Sequence, residues 1–411
     1  MLHGETTPGL DAGTKAEVRV AQAWFWDGYY VRRGVDLQHR FSNEATTVTD
    51  LDVLGVTLDA ALKGHKHIGE VKTGKSGNTP RPLDRALWLH GVRELIGAES
   101  AEITTAFKTS SSIRDVCNRL GVSVQHLDDL KQRENRLAIT EVNDLGSHGE
   151  SVAKLRKDVL SYVKTDAALE RGYWFLTSEV WFLDPFDALK RTLGLIRELS
   201  KIWPEESQHR ALRVARWFFA EAVSIVGLNL AIVAGHANTM DESSFRDIVG
   251  AKLSSGDIPS YAVRKLSERF DEYLGKILSS LDAPADIRVT AVGAFLPTEP
   301  EYAEPLVELI HRLSAEAATT AKLPRQLDAI MFERLVRRRD LDPQVLKRLC
   351  IDRDTERQVR LIAAFLRGQF SLPAPVEKVL TSPMRTENSR RGSAEQTALF
   401  DEPKAGTGDS A

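Results

Sequence analysis

Two stretches decide the fold, VTDLDVLG at residues 48–55 and HIGEVKTG at residues 67–74. The first alternates apolar and acidic residues and contains β-branched Val and Thr, which is typical of a strand. Because side chains in a strand change face with a period of two, Asp50 and Asp52 share one face. The sequence therefore predicts a strand that presents two carboxylates on the same side.

The second stretch contributes another carboxylate and a positive charge. Counted with the same period, Glu70 and Lys72 project to one face of its strand and Val71 projects to the other. If the two strands are neighbours, carboxylates and an ammonium group lie side by side. Carboxylate oxygens bind Mg²⁺, and a lysine contacts an anionic substrate or an attacking water. We therefore predict a divalent-cation site next to a phosphate site.

The elements around these stretches form an ordered series. Apolar spacing predicts a first helix with Thr14 as its N-cap. Glycine and proline breaks predict a loop over residues 73–82, and Gly121 is expected to end a helix. The predicted elements are helix 13–26, a turn over 28–33, strand 35–41, the strand with Asp52, a connector over 57–66, the strand with Glu70, helix 83–96, strand 101–107, helix 110–120 and strand 122–126.

This series resembles the PD-(D/E)XK nuclease superfamily, in particular its type IV restriction endonuclease-like and Holliday-junction-resolvase-like branches. The likeness covers about residues 13–133 and rests on an acid followed by the hydrophobic pair 53–54, a spacer, and Glu-x-Lys. It implies an α/β restriction-endonuclease-like core (α-β-β-β-α-β-α-β), with antiparallel early strands and a right-handed crossover to the later ones. An all-α domain follows this core. Leu51 stands where the family often has a proline before the acid.

The resemblance assigns roles to the residues of the predicted site. Asp52 directly precedes the hydrophobic pair and is favoured over Asp50 as the metal ligand, although both share the same strand face. Asp52, Glu70 and the carbonyl of Val71 are expected to hold Mg²⁺, for which Mn²⁺ can substitute. Lys72 is expected to orient or deprotonate the water that attacks a phosphodiester, with charge stabilisation by the metal.

Two further sets of residues extend the predicted site. Glu17 is a fourth catalytic candidate, because the first helix of the family often has a glutamate facing the metal. The alternative for Glu17 is a solvated acid favoured by the helix dipole. Lys75, Arg81, Arg85 and Lys108 are candidates for a phosphate-binding rim, and ordinary surface charge is the alternative for each of them.

A second pattern overlaps the first. Residues 69–76 also spell G-x-x-x-x-G-K-[ST], the phosphate-binding loop of an ATP-binding regulator. Such a loop follows a buried strand and opens directly into a helix. Here the polar residues 65–67, interpreted as a turn, precede the pattern, and the Gly- and Pro-rich residues 77–82 follow it. The context therefore favours the nuclease interpretation of the same letters.

Composition limits the class of protein. The 411 residues have a formal net charge of -3, so binding of DNA requires a local basic groove rather than overall basicity. Cys117 and Cys350 are the only cysteines, which excludes a disulfide framework and a four-cysteine zinc site and fits a reducing cytoplasm. The N-terminus has no basic segment followed by an apolar core, so we expect a cytoplasmic protein without a signal peptide.

The second half of the sequence is predicted to be helical from residue 135 to residue 380. Asp184-Pro185 and Asp342-Pro343 are typical helix starts. Residues 217–235 are long enough for a membrane span, but they include Glu221, whose charge is costly in lipid. We therefore predict a buried core helix and no membrane association. The helical region is expected to recognise DNA, to form a homodimer or to bind another partner.

A polar tail ends the chain and is predicted to be disordered. Within it, Gln396, Leu399 and Phe400 belong to a pentapeptide that resembles the bacterial sliding-clamp-binding peptide, Gln-x-x-Leu-Phe, which implies the sliding clamp as a partner. A helical turn docking on the protein's own surface is the alternative. The predicted domains are a disordered N-terminus (1–12), a nuclease-like domain (13–134), an α-helical domain (135–380) and the tail (381–411).

These patterns and the resemblances together imply a Mg²⁺-dependent nuclease that hydrolyses phosphodiester bonds of DNA in restriction or repair. A catalytically inactive nucleic-acid-binding or assembly module of the same fold is the first alternative, because a fold does not guarantee an activity. The ATP-binding regulator is the second alternative.

Overall fold

The computed structural model of the protein describes residues 10–41, 44–74, 81–139, 144–255, 260–281 and 298–384. A five-stranded mixed sheet with helices comes first in the chain, and helices make up nearly all of the rest. The predicted order of the first eight elements is confirmed, and a further helix follows them. These elements are α1 (Ala12–Trp26), β1 (Tyr30–Phe41), β2 (Glu44–Leu58), β3 (Gly64–Lys72), α2 (Pro82–Ile96), β4 (Ser100–Thr105), α3 (Ser111–Arg119), β5 (Val122–His126) and α4 (Leu127–Arg136).

The strands lie side by side in the order of the chain. β1, β2 and β3 form two antiparallel pairs, whereas β3–β4 and β4–β5 are parallel. Parallel neighbours need a crossover connection, and α2 and α3 provide it. Since Lys72 at the end of β3 pairs with Thr105 at the end of β4, both strands end at the same edge of the sheet.

Two boundaries of the early strands differ from the prediction. β1 begins at Tyr30 instead of after a turn over residues 28–33, because Tyr30 and Val31 are buried and pair with β2. The connector between β2 and β3 spans only residues 59–63, so residues 65–67 are strand residues and not a polar turn. The polarity of residues 65–67 wrongly indicated a turn. Lys66 is accommodated in the strand because it donates a hydrogen bond to the carbonyl of Trp181 at 2.8 Å.

The start of α1 also differs from the prediction. Asp11, and not Thr14, is the N-cap, and its carboxylate accepts a hydrogen bond from the Thr14 N–H at 2.9 Å. Leu10 is buried in a small apolar cluster with Val18. The folded chain therefore includes residues 10–12, which the sequence assigned to a disordered terminus; residues 1–9 lie outside the described part.

Trp24 of α1 lies directly against the sheet, and two glycines make room for it. A Cβ at Gly55 would approach the Trp24 ring to 2.8 Å, and one at Gly69 would approach it to 3.2 Å. Gly69 is the first glycine of the phosphate-loop spelling. Its position inside β3, beneath an indole ring, gives this glycine a packing role.

The described residues from 144 to 384 are almost wholly helical, as predicted. Asp184 and Asp342 cap helices, because each carboxylate accepts a backbone N–H two residues later. The elements are α5 (Glu150–Val163), α6 (Ala167–Thr177), a 3₁₀ turn (Glu179–Phe182), α7 (Pro185–Lys201), α8 (His209–Ala237), α9 (Glu242–Ser254), α10 (Ser260–Ser280), α11 (Ala303–Ser314), α12 (Ala317–Thr320), α13 (Leu323–Ile330), a π-helical turn (Met331–Val336), α14 (Pro343–Arg348), α15 (Arg353–Phe370) and α16 (Ala374–Thr381).

The long helix α8 is the centre of this region. By length and composition it is the one described helix that could cross a membrane. In its most apolar window, however, 94% of the residues are buried inside the protein, against α7, α11 and α13 among others. This agrees with the predicted core helix and with a soluble protein.

A buried ionic cluster connects the sheet to the helices, and we call it the joint cluster. Arg32 of β1 donates from Nε to Glu221 of α8 at 2.8 Å and from Nη1 to Asp328 of α13 at 2.7 Å. Nη1 also contacts the hydroxyl of Ser147 at 2.7 Å. One continuous cluster of buried apolar side chains likewise extends from the sheet into the helices. The predicted domain boundary between residues 134 and 135 stays a prediction.

Candidate functional site

The candidate site lies where β2 and β3 separate. The last residues of these strands that pair are Val53 and Gly69. Beyond this pair, the Asp52 side chain replaces a backbone partner: its Oδ2 accepts a hydrogen bond from the Val71 N–H at 2.6 Å. The end of the hairpin ladder therefore fixes the Asp52 carboxylate against β3.

Lys72 connects the two predicted carboxylates. Its Nζ lies 2.6 Å from Glu70 Oε1 and 3.7 Å from Asp52 Oδ2. Asp52 and Glu70 are buried, with exposed fractions of 8% and 2%, whereas 31% of the Lys72 side chain is exposed. The structure thus brings together the three side chains predicted from the sequence, with the cation on the solvent side.

Burial and the neighbouring charges set the protonation of this site. Burial, together with the charge of Glu70, raises the pKa of Asp52 to about 7, although Lys72 and the Val71 N–H oppose the shift. Burial tends to lower the pKa of Lys72, but its hydrogen bond to Glu70 and the charge of Asp52 outweigh burial and raise it. Lys72 is therefore protonated at neutral pH, which favours charge stabilisation and orientation of water over proton abstraction.

The donors at this site fit a divalent cation. Asp52 and Glu70 supply carboxylate oxygens, and both lie near the Nζ of Lys72, at 3.7 Å and 2.6 Å. Since the N–H and C=O of one strand residue point to the same side, the carbonyl of Val71 faces the edge at which Asp52 lies. Among the described residues no cluster of three or more His, Cys, Asp or Glu side chains could hold a metal. Two carboxylates completed by a carbonyl and water suit Mg²⁺ better than Zn²⁺.

Asp50 and Glu17 take positions beside this centre. Asp50 is exposed and pairs in register with Asp36 of β1, so Asp52 is the better placed of the two alternative ligands. Glu17 of α1 forms an ion pair with Arg33 at 3.1 Å. Burial raises the pKa of Glu17 against the charge of Arg33, and the charges of Asp50 and Lys72 also act on it. Glu17 is therefore near the site and is not a freely solvated first-turn acid.

Arg85, predicted to belong to a phosphate-binding rim, contacts Glu70 directly. Its Nη2 approaches the same Oε1 that Lys72 contacts. The guanidinium carbon lies 4.0 Å from the ring centroid of Trp88, one helical turn further along α2. Sequence reasoning missed Trp88 and Arg33. Arg85 and Trp88 are three residues apart in a predicted helix, where side chains at this spacing are neighbours. This spacing could have identified their cation–π contact from the sequence.

Arg81 and Lys108, the other predicted binding residues in the described part of the chain, make no ion pair with the carboxylates. Arg81 directly precedes α2 and is largely exposed. It forms an ion pair at 3.1 Å with Asp84 in the first turn of that helix. Lys108 is exposed and follows β4, at the edge of the sheet where β3 also ends. The remaining predicted residues lie outside the described part: Lys75, Gln396, Leu399 and Phe400.

We compared the chain with family models, with curated proteins and with solved structures, and none of them matches it.

Proposed function

We propose that this protein is a metal-dependent nuclease that hydrolyses phosphodiester bonds of DNA. The observation that supports it is the convergence of Asp52, Glu70 and Lys72 where the hairpin of β2 and β3 opens. Two buried carboxylates with one solvent-facing ammonium group form a site for a hard cation and a phosphate.

The topology supports a restriction-endonuclease-like core. An α-helix precedes an antiparallel three-stranded meander, and two helices then cross over to parallel strands β4 and β5. This is the order that the sequence resemblance implies. The proposed site sits on the second and third strands, which are the strands that the resemblance predicts.

Each residue has a proposed part in the reaction. Asp52, Glu70 and the carbonyl of Val71 would hold Mg²⁺, which when bound supplies a Lewis acid for the phosphate and a more acidic water. Lys72 remains charged, orients the attacking water and offsets negative charge on the phosphate. Val71 keeps Asp52 in position through its N–H. Lys108 and Arg81 would contact the DNA backbone further from the reacting bond.

Cleavage assays test this proposal. Linear, nicked, branched and modified DNA would be incubated with Mg²⁺ or Mn²⁺ and either the wild type or the Asp52→Asn, Glu70→Gln and Lys72→Met variants. We expect cleavage by the wild type and a loss of about a thousandfold in each variant, since a ligand or charge-stabilising group contributes several kcal/mol. Asp115→Asn, at an exposed pair on α3, is the matched control and should cut like the wild type.

Two results would contradict the proposal. The first is a wild type that cuts none of these DNAs, and the second is a set of site variants that cut as fast as the wild type. If DNA binds with the same affinity in the presence of EDTA and to Asp52→Asn while no cleavage occurs, the chain is instead a binding module with the same fold.

A further inference from the structure

Glu70 has two cationic partners, and the second of them comes from a different element. Lys72 contacts Oε1 from the same strand, and Arg85 contacts the same oxygen from α2. The Glu70 side chain is 3% exposed, but 22% of the Arg85 side chain is exposed to solvent. A predicted cation ligand is therefore held by a guanidinium group that an entering anion can reach.

Trp88 supports Arg85 in a way that does not depend on Glu70. The guanidinium carbon of Arg85 lies over the Trp88 ring, 4.0 Å from the ring centroid. A cation–π contact of this kind does not require the guanidinium N–H groups as hydrogen-bond donors. The Nε of Arg85 is buried and has no hydrogen-bond partner in the described part of the chain. Arg85 thus keeps unused donor capacity while it is held over Trp88.

The charges at the site make a cation and Arg85 competitors. Asp52 and Glu70 are already balanced by Lys72 and Arg85. A divalent cation added to this set leaves an excess of positive charge in a poorly solvated place, which is unfavourable. A phosphate group removes part of that excess, and the planar fork of a guanidinium matches phosphate oxygens in a bidentate manner.

We propose that Arg85 couples DNA binding to cation binding at Glu70. Without a nucleic-acid phosphate, Arg85 holds Glu70 Oε1 and competes with the cation for it. When a phosphate enters, the guanidinium moves to the phosphate while it stays stacked on Trp88, and Glu70 becomes free to bind the cation. Arg85 is then a positioning residue that acts through Glu70. This inference rests on the proposed function, because it takes Glu70 as a cation ligand and DNA as the substrate.

Binding of Mn²⁺ to the full-length protein, measured by calorimetry and by electron paramagnetic resonance, tests the coupling without cleavage. Titrations would be made alone and with short, hydrolysis-resistant phosphorothioate DNA, as a duplex and as a single strand. For the wild type we expect DNA to strengthen Mn²⁺ binding about tenfold, the scale of one charge-assisted hydrogen bond. For Arg85→Met we expect Mn²⁺ binding without DNA to be about tenfold tighter than in the wild type, and a smaller gain from DNA than in the wild type, because the phosphate can still bind the cation but no longer has to release Glu70.

The controls separate this inference from the proposed function. Arg85→Lys keeps the charge without the fork and should give an intermediate effect, which also guards against misfolding of the Met variant. Arg119→Met removes an exposed arginine that pairs with Asp115 on α3 and should bind Mn²⁺ like the wild type. If Glu70→Gln weakens Mn²⁺ binding but Arg85→Met and Arg85→Lys leave it unchanged, the coupling is overturned and the proposed function survives. If Glu70→Gln and Asp52→Asn leave Mn²⁺ binding unchanged, both fail together.

Discussion

The joint cluster and the candidate site are two ionic clusters of similar composition in different surroundings. In the joint cluster, the side chains of Arg32, Glu221 and Asp328 are 7%, 8% and 2% exposed. In the candidate site the acids are equally buried, but Lys72 and Arg85 are 31% and 22% exposed. The two clusters therefore differ in the exposure of their cations, and also in their number, since the candidate site has two cations and the joint cluster has one.

This difference separates a structural role from a chemical one. In the joint cluster, one arginine connects β1, α8 and α13, so its hydrogen bonds are made between elements that must stay together. In the candidate site the acids come from adjacent strands that backbone pairing already holds. Burial, and after it the charge of Glu70, raises the pKa of Asp52 to about 7, so that keeping Asp52 ionised costs the folded state free energy. Such a cost is typical of functional sites.

The largest expected effect comes from breaking the joint cluster. Arg32→Met leaves Glu221 and Asp328 buried without their shared cation, and we expect the free energy of unfolding to fall by about 3 to 5 kcal/mol. Chemical denaturation measures it. Arg19→Met is the matched control, because Arg19 pairs with Glu134 at 2.7 Å with 37% of its side chain exposed, and it should cost less than about 1 kcal/mol. Equal losses in both variants would show that the joint cluster contributes no more than a surface pair.

The same substitution at the two clusters should change stability in opposite directions. Asp328→Asn weakens a buried ion pair and should cost about 2 kcal/mol. The pKa of Asp52 is raised above the ordinary 3.8 of an aspartate, so ionised Asp52 destabilises the fold and stability is lost as pH rises from about 4 toward 7. Asp52→Asn removes this loss but also weakens the contact with Lys72 at 3.7 Å, so the net gain at pH 8 in EDTA should be about 1 kcal/mol, as measured by denaturant titration. A lower free energy of unfolding for Asp52→Asn than for the wild type would refute the contrast between the two clusters.

Sequence patterns predicted most of the candidate site but none of the joint cluster. Asp52, Glu70 and Lys72 lie within one hairpin, where a period of two fixes which side chains share a face. Arg32 meets Glu221 and Asp328 across 189 and 296 residues of chain, and no local period encodes such a contact. Strand ends were misjudged for a related reason, since Lys66 has its hydrogen-bond partner, the carbonyl of Trp181, 115 residues away in sequence.

Acidification should lower the free energy of unfolding through His148, a buried histidine influenced by the charge of Arg32 in the joint cluster. His148 is 1% exposed, lies 4.6 Å from Phe25 ring to ring, and has no hydrogen-bond partner for either ring nitrogen among the described residues. Burial, with the charges of Arg337 and Arg32, lowers its pKa well below 6.5. The folded state therefore excludes a proton that the unfolded chain accepts, and stability is lost as pH falls below 6.5.

The loss assigned to His148 is about 1.4 kcal/mol at one pH unit below 6.5. Denaturant titrations of the wild type and of His148→Phe between pH 5 and pH 8 measure it. The variant keeps an aromatic ring in the site and should show a flatter dependence on pH in this range. Curves that remain parallel would exclude His148 as the origin of acid sensitivity.

The smallest expected effect decides between the two aspartates that the sequence left open. Asp50 and Asp52 share a strand face, but Asp50 is exposed, whereas Asp52 is fixed by the Val71 N–H at 2.6 Å beside Lys72. A solvated carboxylate outside the cluster contributes only a screened charge. Asp50→Asn should therefore change Mn²⁺ affinity by less than about twofold, whereas Asp52→Asn should abolish binding in the same titration. A larger effect at Asp50 would move the cation toward β1, where Asp36 pairs with Asp50, and would make Glu17 and Arg33, rather than Glu70 and Arg85, its neighbours.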